Sequence, residues 1–224
     1  MQAVSSRRAS DASFWRAYGR NRYAVLFYCL LLMLIAMPAA SALGQPQIVA
    51  KVLLALCLLA AVTPNATKGR RILLISGILL LIALRFVAEP DAVPIGFGPV
   101  LVLYGLAGLA AAAAAFRFAV KSRRVDSETL YAALSTYLLA GLFFGVIYSA
   151  IEFMAPGSFS GPDAFDQASA IYYSFVTLAT LGYGDFLPRN EVARGIATFE
   201  VIGGQLYLAV MVARLIGAFG TAEK

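Results

Sequence analysis

The chain has 224 residues, a formal net charge of +6, no histidine and two cysteines. Hydrophobic types make up 61% and charged types 13%, against about 45–50% and about 25% in soluble domains. This composition excludes an ordinary soluble domain, and the lack of histidine removes the commonest metal ligand and general base.

The basic residues sit in short clusters between apolar runs. They form no single basic face, so they read as topology signals and nucleic acid is not an expected partner. Cys29 and Cys57 lie in separate apolar runs and read as small buried hydrophobes.

Residues 1–23 form a polar segment carrying Arg7, Arg8, Arg16, Arg20 and Arg22. Apolar spans follow at about 24–43, 48–63, 71–88, 94–119, 129–153 and 191–219; roughly 20 residues are needed to cross the hydrocarbon as a helix. The second span is short and carries Lys51 near its start. A segment at 166–179, between the last two spans, is too short to cross. An alternative reading takes Ala24–Met37, followed by Ala39-Ala40-Ser41-Ala42, as a cleaved signal segment. The polar lead is long for that, and the downstream orientation is the same either way.

With the amino terminus inside, fourteen basic residues face the cytosol and four, Lys51, Arg85, Arg189 and Arg194, lie outside. This bias predicts a multi-pass plasma-membrane protein with both termini cytosolic. The triplet Asn65-Ala66-Thr67 matches a glycosylation acceptor but falls on the cytosolic side. The alanine run Ala110–Ala115 predicts close helix packing, and Gly141, Gly145 and Ser149 form a small-residue ridge suited to the same use.

The stretch TLGYGD, Thr180–Asp185, is a poor helix and a poor strand. Irregular backbone at membrane depth is tolerated only where it is buried in protein or lines a watery cavity. Gly182 and Gly184 can take positive φ without steric cost. Alternating handedness along such a segment lets successive carbonyls point one way, where they can replace the water shell of a cation.

TLGYGD resembles the selectivity filter of the potassium channel superfamily, whose usual pattern is TVGYGD. Its context fits as well: outer helix, re-entrant helix, filter, inner helix, over roughly residues 128–219. The resemblance implies an all-α membrane protein with six transmembrane helices and a re-entrant pore helix and filter loop between the fifth and sixth. It divides the chain into a cytosolic segment (1–23), a four-helix membrane domain resembling a voltage-sensor domain (24–125) and a pore domain (126–224).

The resemblance also implies roles. The carbonyls of Thr180, Leu181, Gly182 and Tyr183, with the Thr180 hydroxyl, would hold K+, and Gly184 would shape the outer mouth. Tyr183 is expected to pack on Tyr172 and Tyr173 of the pore helix, with Asp185 bonded behind the filter. Leu181 replaces the usual valine, and Ala179 stands where many relatives carry a second threonine. Gly203 and Gly204 fall at the inner-helix gating hinge, with close packing as the alternative. Helical spacing makes Gln205, Leu208, Val212 and Ile216 a candidate cavity-lining stripe, with a plain lipid-facing or core stripe as the alternative. Asp163, Asp166, Asp185 and Glu191 would ring the entrance and concentrate cations.

Glu200, about nine residues into the sixth span, is a carboxylate at a costly depth. It is expected to brace the back of the filter through groups such as Thr177 or Tyr172; the alternative is an ion or proton site facing the pore. One chain supplies one filter strand, and enclosing an ion takes about four. A homotetramer in the lipid bilayer is therefore expected, with no cofactor beyond the permeant K+.

The fourth span carries no basic residue from Pro94 to Phe116. A voltage sensor needs several charges through the membrane, each worth only about 2.3 kcal/mol per 100 mV. Weak or absent voltage sensing follows. Lys224 closes the chain soon after the sixth span, so gating by a fused ligand-binding domain is not expected. A membrane enzyme has no support from histidine, cysteine pairs or intramembrane acid pairs. The alternatives carried forward are a non-conducting regulatory subunit and a weakly selective cation channel.

Overall fold

In an apolar medium every backbone N–H and C=O must be bonded within its own segment, so apolar runs become helices. The computed structural model describes residues 21–42, 46–61, 68–87, 94–122 and 125–220. Most of the amino-terminal segment, residues 1–20, and the Asn65–Thr67 triplet lie outside the described residues. Five helices come first: α1 (Arg22–Ala42), α2 (Pro46–Ala61), α3 (Lys68–Val87), α4 (Pro94–Lys121) and α5 (Ser127–Met154). A short strand β1 (Phe159–Ser160), the 12-residue helix α6 (Gln167–Leu178), strand β2 (Leu187–Pro188) and the long helix α7 (Glu191–Gly220) complete the order.

A helix stands at each of the expected apolar runs, and α6 occupies the short segment between the last two. Among the described residues three stretches are long and apolar enough to cross a membrane: Gly96–Lys121, Ser127–Met154 and Glu191–Gly217. Arg22–Ala36 and Ile75–Arg85 are shorter apolar helices. The protein is thus a mostly helical membrane protein.

Small residues set how closely these helices approach. α4 and α5 run antiparallel. A Cβ added at Gly98 would fall 2.3 Å from Met154, at Gly105 2.5 Å from Ile147, and at Gly108 2.0 Å from the Phe143 ring. Ala112, Ala115 and Ala119 continue this buried face of α4, so part of the alanine run is used for close packing. On α5 the Gly141–Gly145 ridge faces α6. A Cβ at Gly141 would meet Phe175 at 2.4 Å, and one at Gly145 would meet the Ile171 Cα at 2.6 Å.

Polar groups tie the ends. Asp126 caps α5, accepting from the Thr129 amide at 2.9 Å and the Thr129 hydroxyl at 2.7 Å. The Thr129 side chain, then its amide, hold the Asp126 carboxyl below its ordinary value. Glu128 accepts from the Tyr23 and Ala24 amides at 3.1 and 3.4 Å, placing a carboxylate at the positive end of α1. At the far end of α7, Arg214 donates to the carbonyls of Val120 and Ser122, where α4 ends. A cation there complements the helix dipole.

The Gly145 contact is with backbone, which cannot step aside. Gly145→Ala is expected to destabilise the fold by about 1–3 kcal/mol, read as a lower thermal midpoint in detergent. Gly77→Ala, with nothing within 4 Å of the added Cβ, is expected to leave the midpoint unchanged or raised. Equal effects of the two substitutions would contradict the packing described.

Candidate functional site

Helix α6 begins at the cap Asp166, which accepts from the Ser169 amide at 2.8 Å. Its other end decides the geometry of the loop. The Thr180 amide donates to the Thr177 carbonyl at 2.9 Å, and the Leu181 amide reaches back five residues to the Val176 carbonyl at 2.9 Å. This pair of bonds is a Schellman ending, whose left-handed position is usually glycine. Here it is Thr180, with φ +58°. A β-branched residue at positive φ is a steric outlier, worth of order 1–3 kcal/mol of strain held by its surroundings.

The left-handed pattern then repeats at every second residue: Thr180, Gly182 at +58° and Gly184 at +76°. Among the described residues, the carbonyls of Thr180–Gly184 accept no hydrogen bond. The loop is thus a row of free acceptors whose first amides are anchored on α6.

Both flanks of the loop are pinned. β1 pairs with β2 antiparallel, Phe159 opposite Pro188 and Ser160 opposite Leu187. Glu152 accepts from the Gly157 and Phe159 amides at 2.8 and 3.0 Å. Asn190 bonds Ser158 Oγ at 2.6 Å and accepts from the Ala193 amide at 2.7 Å, starting α7. Behind the loop, Phe159 stacks on Phe165 at 4.0 Å, and Tyr173 meets Tyr148, Phe159 and Phe165 edge-on.

Residues 133–220 match a family model described as ion channel. The inward rectifier potassium channel Kirbac3.1 of Paramagnetospirillum magnetotacticum is 36% identical over 87 residues, 37% of this chain and 27% of that protein. The matched stretch therefore spans about a quarter of that relative's length. No solved structure matches the chain. Residues 133–220 form a pore module of the potassium channel superfamily. The match associates these residues with ion transport in a membrane.

In this pore module the expected site residues separate into groups. Thr180 to Gly184 are brought together on the loop, and Leu181 and Tyr183 are 59% and 68% exposed. Tyr183 makes no ring contact with Tyr172 or Tyr173 within the chain, though it lies near enough to Tyr172 to act on it electrostatically. Tyr172 meets Phe186 at 6.3 Å instead, and Tyr173 is taken up by the aromatic cluster. The Tyr172 side chain lies close enough to the Asp185 carboxylate to interact with it, while Asp185 accepts from the Phe186 amide at 3.0 Å. The entrance acids are exposed, but Asp166 is also a helix cap and Glu191 pairs with Arg194 at 3.3 Å.

Glu200 is 1% exposed, and its hydrogen-bond partners are not the expected Thr177 or Tyr172. It accepts from Tyr148 Oη on α5 at 2.6 Å and from Ser174 Oγ on α6. One carboxylate therefore joins α7 to both helices behind the loop. Ser174 and Tyr148 were missed in the sequence. Their signal was a hydroxyl inside an apolar helix, because a buried polar group needs a partner.

Helix α7 runs unbroken through Gly203 and Gly204. A Cβ at Gly204 would come 2.8 Å from Leu178 Cδ1 and 3.0 Å from its carbonyl, so this glycine admits the end of α6. Gly203 has open space around it. Gln205, Leu208, Val212 and Ile216 are all exposed along α7.

These two glycines are separable by experiment. Gly204→Ala is expected to push on the Leu178 carbonyl next to the loop, lowering thermal stability by about 1–3 kcal/mol. Gly203→Ala is expected to leave thermal stability unchanged or improved, since alanine is the better helix former by about 1 kcal/mol. A stability loss at Gly203 as large as that at Gly204 would overturn the assignment of close packing to Gly204.

Proposed function

We propose that the protein is a subunit of a potassium-selective channel giving passive K+ permeation through a tetrameric pore. The observation that carries this reading is the left-handed φ at Thr180, Gly182 and Gly184, alternating along a segment with unbonded carbonyls. Carbonyls on such a segment turn toward a common side, where they replace the hydration shell of a cation. The likeness of residues 133–220 to an ion-channel family and to a named potassium channel supports the same ion.

One loop cannot surround an ion, and about four are needed. The exposed Leu181 and Tyr183 side chains, and the exposed α7 residues Phe199, Ile202 and Leu206, then meet neighbouring copies around a four-fold axis. Tyr183, without a ring partner among the described residues, packs against a neighbour in this reading. Gln205, Leu208, Val212 and Ile216 line the cavity below the filter. Gly203 is the position where α7 bends on opening, and Gly204 the position where it stays seated on Leu178.

Helices α1–α4 form a membrane domain without a charge ladder. On α4 the basic residues Arg117 and Lys121 are exposed and crowd one end. Arg85 is buried near the start of α6, over the Phe97 ring at 4.9 Å and donating to Gln167 at 3.4 Å. Voltage therefore has little charge to act on, and gating is weakly voltage-dependent or independent of voltage.

Glu200 is a positioning residue in this mechanism. It holds the inner helix against Ser174, one turn before α6 ends, and against Tyr148 on the outer helix.

Purified protein in liposomes is expected to take up K+ but not Na+ under matched gradients, and Gly182→Asp is expected to abolish uptake. Equal uptake of both ions would sink the selectivity claim, and K+ uptake that survives Gly182→Asp would sink the assignment of the filter.

Glu200→Ala orphans two buried hydroxyls, at about 1–3 kcal/mol each. It is expected to lower stability and the ratio of K+ to Na+ flux together. Glu200→Gln, which keeps the shape and one acceptor, is expected to recover most of that ratio. An unchanged ratio in Glu200→Ala would remove Glu200 from filter positioning.

A further inference from the structure

The end of the molecule where α1 begins and α4 finishes carries a groove that the pore does not use. It is a cavity of about 400 Å³. One wall is the small-residue face of α4, with Ala110, Ala113 and Ala114. Arg22 and Arg117 stand at its rim beside Tyr23. An adjoining cavity of about 320 Å³ shares Arg117 and adds Lys121.

The groove's charges are unbalanced. Arg22 is 9% exposed, with its guanidinium carbon 4.7 Å from the Tyr23 ring centroid and 5.0 Å from that of Phe118. Among the described residues no carboxylate lies within ion-pair distance of Arg22, Arg117 or Lys121. The nearby Glu128 carboxylate is engaged by the Tyr23 and Ala24 amides. Tyr23 is 3% exposed, and its hydroxyl lies against the Arg22 side chain, with no carboxylate or carbonyl acceptor among the described residues. A mostly buried cation with no carboxylate partner, beside a buried hydroxyl whose own proton has no acceptor, calls for an anion.

We propose that this groove binds an anionic phospholipid. The phosphate sits between Arg22 and Arg117, whose planar forks match phosphate oxygens, and takes the Tyr23 hydroxyl as a further donor. An acyl chain runs along Ala114, Ala113 and Ala110. These residues lead away from the arginines by about 10 Å at the helical rise, into the apolar span. The adjoining Lys121 selects a net negative headgroup over a zwitterionic one. The site lies outside residues 133–220, so it belongs to the four-helix part and not to the pore module. It also sits on the helix whose last carbonyls hold Arg214 of α7.

The test uses the delipidated full chain in detergent, with phosphatidylglycerol, phosphatidylcholine or inorganic phosphate added. Phosphatidylglycerol is expected to raise the thermal midpoint by several degrees and to remain bound in native mass spectrometry. Phosphatidylcholine and inorganic phosphate are expected to do neither. Arg117→Gln removes an exposed side chain and is expected to weaken phosphatidylglycerol binding about tenfold, the loss of one charge-assisted contact. Ala114→Leu fills the slot without changing charge and is expected to weaken it as well. Arg22→Gln is expected to weaken it most; if that variant does not fold, the other two carry the test. Equal stabilisation by phosphatidylcholine, or binding unchanged in both Arg117→Gln and Ala114→Leu, would overturn the proposal. A shift reproduced in full by inorganic phosphate would make this a free-anion site and overturn the lipid assignment.

Discussion

A stretch of chain that is neither helix nor strand, set in an apolar molecule, has to have its backbone groups held by something. Here the holder is the carboxyl end of α6. Its last turn takes in the amides of Thr180 and Leu181, and the chain leaves with Thr180 already left-handed. That single ending launches the alternation continued by Gly182 and Gly184. The acceptors that α6 leaves unfilled at its end and the acceptors along the loop then sit together, at the negative end of the helix dipole.

Keeping α6 in place is the task of everything behind it. Glycines on α5 let Phe175 and Ile171 come in to backbone distance. Glycine on α7 does the same for Leu178. Tight contact of this kind replaces the hydrophobic driving force, which is weak between helices in lipid. The aromatic cluster of Tyr148, Phe159, Phe165 and Tyr173 fills the space on the far side. Glu200 stands at the junction of these layers. A buried carboxylate is expensive, and two hydroxyl donors offset part of that expense while fixing the register of three helices.

The same economy of small residues extends into the first half of the chain. Gly98, Gly105 and Gly108 seat α4 on α5, and Arg214 fastens the end of α7 to the end of α4. α4 is thus joined to α5 by an apolar seam and to α7 by a polar tie.

The sequence by itself determined the helical membrane class, the positions of the helices and the place of the loop. These are local properties. Apolar run length sets where a helix forms, and glycine spacing in TLGYGD sets where positive φ is tolerated. The small-residue ridge at Gly141 and Gly145 was also legible, because helical periodicity alone puts those positions on one face. Tertiary structure decided the partners. Glu200 was visible as a costly carboxylate, but Ser174 and Tyr148 lie 26 and 52 residues away along the chain. Within the chain the Tyr172 ring meets Phe186 and the Tyr173 ring joins the cluster of Tyr148, Phe159 and Phe165, neighbours that spacing alone does not name. The two glycines at 203 and 204 look alike in sequence and differ only in what stands opposite: open space for one, the Leu178 carbonyl for the other. Which distant groups meet depends on how helices cross, and crossing is settled by the fit of side chains over the whole assembly.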